Sequence, residues 1–195
     1  ALKRMEEGAM VGRILAELDG VLQQSGAAAS ALVQELANAA SRGAQVMVYG
    51  VGREGLMMKA LAMRLFHLGL RVSCVFDMTT PPISSHDLLL LSAGPGTFSS
   101  VEALASIARS CSARILLLTA HPSGPASFLA DVVAHVPAQT MASDTASSPL
   151  SSSLLPMGSL YEGALFILFE MVILKLRDTL GVAPQDMRGR HTNLE

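Results

Sequence analysis

Residues 45 to 55 read Gln45-Val46-Met47-Val48-Tyr49-Gly50-Val51-Gly52-Arg53-Glu54-Gly55. A β-rich run stops at a glycine, and a helical pattern with Met57, Leu61, Leu65 and Leu68 on one side fills Leu56 to Leu68. Strand, tight loop and helix make the first half of a right-handed crossover unit. Arg71 to Phe76 supplies the strand that completes it. Further on, Asp87 to Leu91 reads as a strand whose run of leucines calls for burial on both faces. Ser99 to Ser110 is helical, Arg114 to Thr119 a strand, Ala126 to Ala130 a short helix and Val132 to Val136 a last strand. Strands alternating with helices at this spacing predict an α/β fold, with a parallel sheet covered by helices on both faces.

Two helices precede the sheet. Leu2 to Gln24 puts Met5, Ala9, Ile14, Leu15, Leu18 and Leu22 on one face. Gly26 breaks the pattern, and Ala28 to Ser41 resumes it through Leu32, Val33, Leu36 and Ala40. A single domain over 1–195 is expected, with a helical segment at 1–42 and the sheet with its crossovers at 43–137. The stretch 138–157 is rich in Ser, Ala and Thr and has no periodicity, so it is expected to be mobile or part of a site. A long helix at 158–182 is apolar nearly all round from Ala164 to Leu174, which places it in the interior or at a subunit interface. The tail 183–195 is polar. There is no internal repeat.

Composition narrows the function. The 195 residues carry 14 basic and 16 acidic side chains, a formal net charge of −2; half are apolar and only 15% charged. The length fits one domain and leaves no room for separate cofactor and catalytic domains. Low charge speaks against disorder, and the near balance of signs against a nucleic-acid partner. So many apolar residues with so few charges predict a homo-oligomer, dimer or tetramer. The apolar stretch Ala164 to Leu174, interrupted by Glu170, falls short of the roughly 20 residues of a membrane span. No signal region opens the chain, so a soluble cytoplasmic protein is expected; a start without methionine leaves room for a removed transit peptide. Cys74 and Cys111 are expected as small apolar core residues in a reducing compartment.

In a parallel sheet, ligands bind at the carboxyl ends of the strands, and three loops there stand out. Gly50 to Gly55 carries three spaced glycines whose N–H groups can approach an anion. A sugar phosphate, a dinucleotide (with Asp77 as ribose-binding acid) and a plain tight turn all fit. In Ser92 to Ser100, Gly94 and Gly96 permit unusual backbone angles and Ser99 or Ser100 can cap the following helix. Charge-assisted hydrogen bonds at such a place contribute about 1.5–3 kcal/mol each; a capped turn without ligand is the other reading. In Pro156 to Glu162, Glu162 falls in the first helical turn. It is there for favourable electrostatics alone, or as a partly desolvated general base. The five histidines show no metal-ligand spacing. His67 ends a helix and reads as structural. His191 sits in the basic tail, either solvated or folded over a phosphate site of its own or a neighbouring subunit.

Taken together, these residues resemble a known family. GVGREG followed by Lys59, Ala62-Met63-Arg64-Leu65 with His67-Leu68-Gly69, Thr80-Pro81 before Asp87-Leu88-Leu89, the loop at Gly94, PMGSLYE and the ending RHTNLE resemble the sugar isomerase (SIS) domain. More closely they resemble 6-phospho-3-hexuloisomerases, from about Leu15 to the C-terminus. The resemblance implies a three-layer αβα sandwich with a five-stranded parallel sheet, usually a tetramer, with a sugar-phosphate ligand and neither cofactor nor metal. It implies exchange of a 3-hexulose 6-phosphate with fructose 6-phosphate through an enediol. Glu162 matches the proton-shuttling carboxylate, and His191 the assisting tail histidine from a neighbouring subunit. Gly50, Gly52, Arg53, Lys59 and Arg64 match positions lining or supporting the pocket. Such proton transfer needs one base close to both carbons and donors for the developing oxyanion.

The departures define a second expectation. Glu54 stands where the family usually has serine, and Ala93, Pro95 and Phe98 replace hydroxyls of an S-G-S-G-x-T loop. Each lost donor is worth about 1–3 kcal/mol. Ser92, Gly94, Gly96, Thr97, Ser99 and Ser100 remain as phosphate-binding candidates, with Arg53 as counter-charge to Glu54. The expected protein is a phosphosugar isomerase whose ligand differs somewhat from the namesake substrate. A non-catalytic sugar-phosphate sensor and a dinucleotide-binding protein are the alternatives. The expected site is the hollow between the two glycine loops, with Glu162 facing it and Phe98 leaving it open.

Overall fold

The computed structural model describes residues 6–143 and 153–194. The expected start of the first helix at Leu2, the part of the serine-rich stretch at 144–152 and Glu195 lie outside them. Helices α1 (Glu7–Gln24) and α2 (Gly26–Ser41) come first, then β1 (Gln45–Gly50), α3 (Gly52–Leu68), β2 (Arg71–Cys74), β3 (Leu88–Ser92), α4 (Ser99–Ser110), β4 (Arg114–Thr119), β5 (Val132–His135), α5 (Ser159–Leu180) and α6 (Pro184–Gly189). The short helix before β5 is a 3₁₀ turn, Pro125–Leu129. Gly26 does not break the pattern: it opens α2, and the bend falls at Ser25, whose hydroxyl donates back to the Val21 carbonyl at 2.8 Å.

Among the described residues the five strands form one parallel sheet in the order β2-β1-β3-β4-β5. Side chains alternate across a strand, and the leucine run shows the consequence. Leu88 and Leu90 join a core with residues of α2, α3 and α5, whereas Leu89 and Leu91 join Val101, Ala105 and Ala108 of α4 on the opposite face. This is the three-layer sandwich. The start of the sheet is pinned by Asp87, which accepts hydrogen bonds from the N–H of Gln45 and of Ser84 (2.9 Å each) and from Ser84 Oγ (2.7 Å). Burial pushes its carboxyl up, but these donors outweigh that and hold it below the usual carboxylate range.

Helix α5 buries one apolar face within the chain and leaves apolar residues exposed on the other. Leu165, Leu168, Val172 and Leu176 are fully buried, while Phe166 and Leu174 are half exposed on its outer face. Cys111, expected in the core, is exposed at the end of α4, and Cys74 is half-buried; neither forms a disulfide. No helix among the described residues is long and apolar enough to cross a membrane.

Candidate active site

The strand order reverses between β1 and β3: the chain leaves β1 for β2 on one side and resumes at β3 on the other. A crevice opens at the carboxyl ends of such strands because their loops diverge. Gly50 and Ser92, the last residues of β1 and β3, are partners in register, so the two glycine loops start side by side. Helix α3 begins at Gly52, which puts Arg53 and Glu54 in its first turn, where free backbone N–H groups favour negative charge. Helix α5 is reached through Met157 and Gly158, both at positive φ (53° and 84°). Glycine adopts this conformation freely; Met157 does so under strain. That turn sets Glu162 opposite α3.

Arg53 joins the two helices. Its Nε lies 3.0 Å from Glu162 Oε2, and its Nη1 donates to Ser159 Oγ at 2.9 Å. The contact with Glu162 is ionic, off the line a hydrogen bond needs, so Oε2 is shielded from solvent without a hydrogen-bond partner among the described residues. The Glu162 side chain is only 12% exposed. Burial pushes its carboxyl up, and Arg53 partly offsets the rise.

Glu54 is more deeply enclosed. Ser92 Oγ donates to its Oε2 at 2.5 Å, and the N–H of Gly94 donates to Oε1 and Oε2 at 3.2 and 3.0 Å. Tyr161, fully buried, closes the far side with its hydroxyl 3.4 Å from Ser92 Oγ. Gly94 has no room for a side chain, since a Cβ would come within 2.9 Å of the Tyr161 ring and 3.0 Å of Glu54 Oε1. Burial raises the Glu54 carboxyl; Ser92 and Gly94 lower it, and the charge of Glu162 adds to the rise. Burial beside Glu54 also keeps Tyr161 protonated well beyond the ordinary phenol range.

A pocket of about 410 Å³ lies between these groups, lined by Val51 to Glu54, Pro95, Phe98, Thr140, Met141, Met157, Gly158, Tyr161 and Glu162. Phe98 forms a wall and not a plug. A larger, open hollow of about 540 Å³ sits at the opposite, amino ends of the strands beside Arg114 and Asp131, away from both glutamates.

The pocket thus unites Gly52, Arg53, Glu54 and Glu162, with Ser92 and Gly94 engaged through Glu54. The other expected residues are elsewhere in the chain. Gly50 and Lys59 border an adjoining hollow of about 290 Å³ with Cys74 and Asp77, which shares Gly52 with the pocket. Arg64 pairs with Glu170 of α5 at 3.2 Å. Gly96 packs against His121 and Gly124. Thr97 Oγ1 donates to Glu102 at 2.5 Å, and Ser100 Oγ accepts from the Tyr49 hydroxyl at 3.0 Å. Ser99 and Ser100 do not cap α4; Phe98 takes that position without a side-chain hydrogen bond. His191 stacks on His67 at the far end of α3 (ring centroids 5.3 Å apart), roughly 20 Å along the helix from the pocket. Within one chain it does not reach Glu162. Thr140 and Met141 are the lining residues that carried no signal of their own, because they lie in an aperiodic stretch.

Strand order and switch-point pocket define a flavodoxin-like α/β domain with its ligand site between the ends of β1 and β3. No protein-family model matches the chain. The chain is 41% identical over 151 residues to the 3-hexulose-6-phosphate isomerase of Mycobacterium gastri, covering 77% of this chain and 74% of that one. It is 34% identical over 151 residues to that of Bacillus subtilis, covering 77% and 80%. A Methanococcus jannaschii crystal structure, from which a 3-hexulose-6-phosphate isomerase function is inferred, superposes with a TM-score of 0.79 at 24% identity, over 95% of this chain and 99% of that one. The chain belongs to the 3-hexulose-6-phosphate isomerase family.

The Glu54 burial has a measurable consequence. Its folded-state carboxyl titrates above the unfolded one, so its contribution to stability is complete below the unfolded pKa and lost as pH rises through the folded value. The melting temperature is therefore expected to rise as pH falls through the raised folded value of Glu54 toward the ordinary carboxylate range, each kcal/mol being worth about 2–4 °C in a chain of this size. Glu54→Gln should flatten most of that rise, leaving the smaller part due to Glu162. Thermal scans across this range with no rise, or the same rise in the variant, would contradict the buried carboxylate.

Proposed function

We propose that the chain is an isomerase that moves a proton between adjacent carbons of a sugar phosphate through an enediol, with Glu162 as the base. The observation that carries this is Glu162 itself: a carboxylate on the pocket wall, largely shielded from water and shifted toward neutral titration, which suits proton transfer. It would take the proton from the carbon beside the carbonyl, the electron pair forming the carbon–carbon double bond as the carbonyl oxygen gains charge. The former carbonyl oxygen takes up a proton to give the enediol, the hydroxyl on the deprotonated carbon gives one up and becomes the new carbonyl, and the same carboxyl returns its proton to the former carbonyl carbon. The Arg53 guanidinium, beside Glu162, is the available cation for the developing oxyanion. The named activity of the relatives supports the sugar-phosphate class.

The assembly belongs to the same proposal. Leu56, Met63 and Phe66 on α3 and Phe166 and Leu174 on α5 are exposed in the single chain, and a homo-oligomer would cover them. Any part His191 plays would then be at a neighbour's pocket. Free cysteines fit a cytoplasmic setting.

A second reading, a sugar-phosphate sensor without catalysis, draws on the missing loop hydroxyls at Ala93, Pro95 and Phe98. Incubation of the protein with fructose 6-phosphate and other ketose phosphates in deuterated water separates the two. Deuterium at a carbon beside the carbonyl is the expected result. Binding without uptake from any of them would sink the isomerase and leave the sensor.

A further inference from the structure

A glycine-rich crevice beside a helix N-terminus offers its N–H groups to an anion. In this chain the anion is already present, and it is covalently part of the protein. The Gly94 N–H and the Ser92 hydroxyl both donate to Glu54, a residue 6% exposed that shares the space over Gly94 with the Tyr161 ring. A phosphoryl oxygen brought to the same donors would meet like charge and no free volume. On the second loop the replaced side chains give no substitute donors: Ala93 is fully buried, and the side chains of Pro95 and Phe98 present only carbon. Hydroxyl groups suit the place better, because a carboxylate has about four acceptor sites and Ser92 and Gly94 leave some unfilled.

We infer that Glu54 is a specificity-determining residue: it reserves the cradle between the two loops for the chain's own carboxylate, so the sugar end that reaches these loops bears hydroxyls and not a phosphoryl group. Any phosphate on the substrate is held outside this cradle. The inference rests on the proposed function for the sugar class of the ligand.

The test is a titration of the isotopically labelled full chain with inorganic phosphate, following the amide resonance of Gly94. In the native protein that resonance should show no saturable shift. In Glu54→Ser, which frees both donors and removes the charge, it should shift saturably, with affinity at least about tenfold above any shown by the native chain. A native protein whose Gly94 amide binds phosphate as tightly as the variant overturns the inference; so does a folded variant whose Gly94 amide ignores phosphate. Should Glu54→Ser fail to fold, Glu54→Ala frees the same donors. A protein that exchanges no deuterium into any ketose phosphate would sink the isomerase, while the phosphate titration would still decide the role of Glu54.

Discussion

Glu162→Gln is expected to abolish deuterium exchange into the sugar, lowering kcat by about a thousandfold or more, while substrate affinity and melting temperature change little. Glutamine has the same shape but cannot accept a proton from carbon. The fold should tolerate it, because the Glu162 side chain makes no hydrogen bond among the described residues beyond its ionic contact with Arg53. That contact joins a largely buried carboxylate to a guanidinium that is 61% exposed, so its loss is worth little after solvent screening. The measurement is kcat and KM determined separately, with deuterium incorporation as the direct readout. Turnover within tenfold of the native enzyme would remove Glu162 as the base. A large rise in KM with kcat intact would make it a binding residue instead.

Leu168→Asp is expected to prevent folding altogether. Leu168 is fully buried in α5, within the core formed with α2, α3 and the sheet. Leucine to alanine at such a site costs about 2–5 kcal/mol, and a carboxylate adds the cost of an unpaired buried charge. That exceeds what a domain with about 5–15 kcal/mol of total stability can spare with safety. Leu174→Asp, on the outer face of the same helix and 53% exposed, makes the contrast. It should leave the monomer folded and act only on assembly, read by sedimentation or light scattering. A folded Leu168→Asp protein would refute the placement of α5. A Leu174→Asp protein with unchanged assembly would remove that face from the interface.

The contrast between Leu168 and Leu174 also shows what local pattern leaves open. The apolar run from Ala164 to Leu174 marks α5 as a packed helix, but a helix apolar on nearly all sides has no periodic signal to say which face the chain itself covers. Only the positions of α2, α3 and the sheet decide that. The same holds at the pocket. Arg64 and Lys59 lie on α3 at positions that match the family, yet Arg64 pairs with Glu170 and Lys59 borders the adjoining hollow. A helix places residues every 100° around its axis, and spacing along the chain does not reveal which neighbour each will meet. Thr140 and Met141 reach the pocket from the aperiodic stretch that length and composition mark as mobile or part of a site, but a stretch without pattern does not single out those two residues.

The α/β class, the order of elements, the glycine loops and Glu162 are all legible in the sequence, because they depend on periodicity and on turn chemistry that act within a few residues. Glu54 is visible there as an unusual acid, but it reads as a lost phosphate contact needing Arg53 as its counter-charge. Folding alone decides that Arg53 instead meets Glu162, and that Glu54 turns inward to the Ser92 hydroxyl and the Gly94 N–H, 38 and 40 positions along the chain. Those contacts arise only where β1 and β3 lie in parallel register, and a register between distant strands is a property of the whole packed sheet.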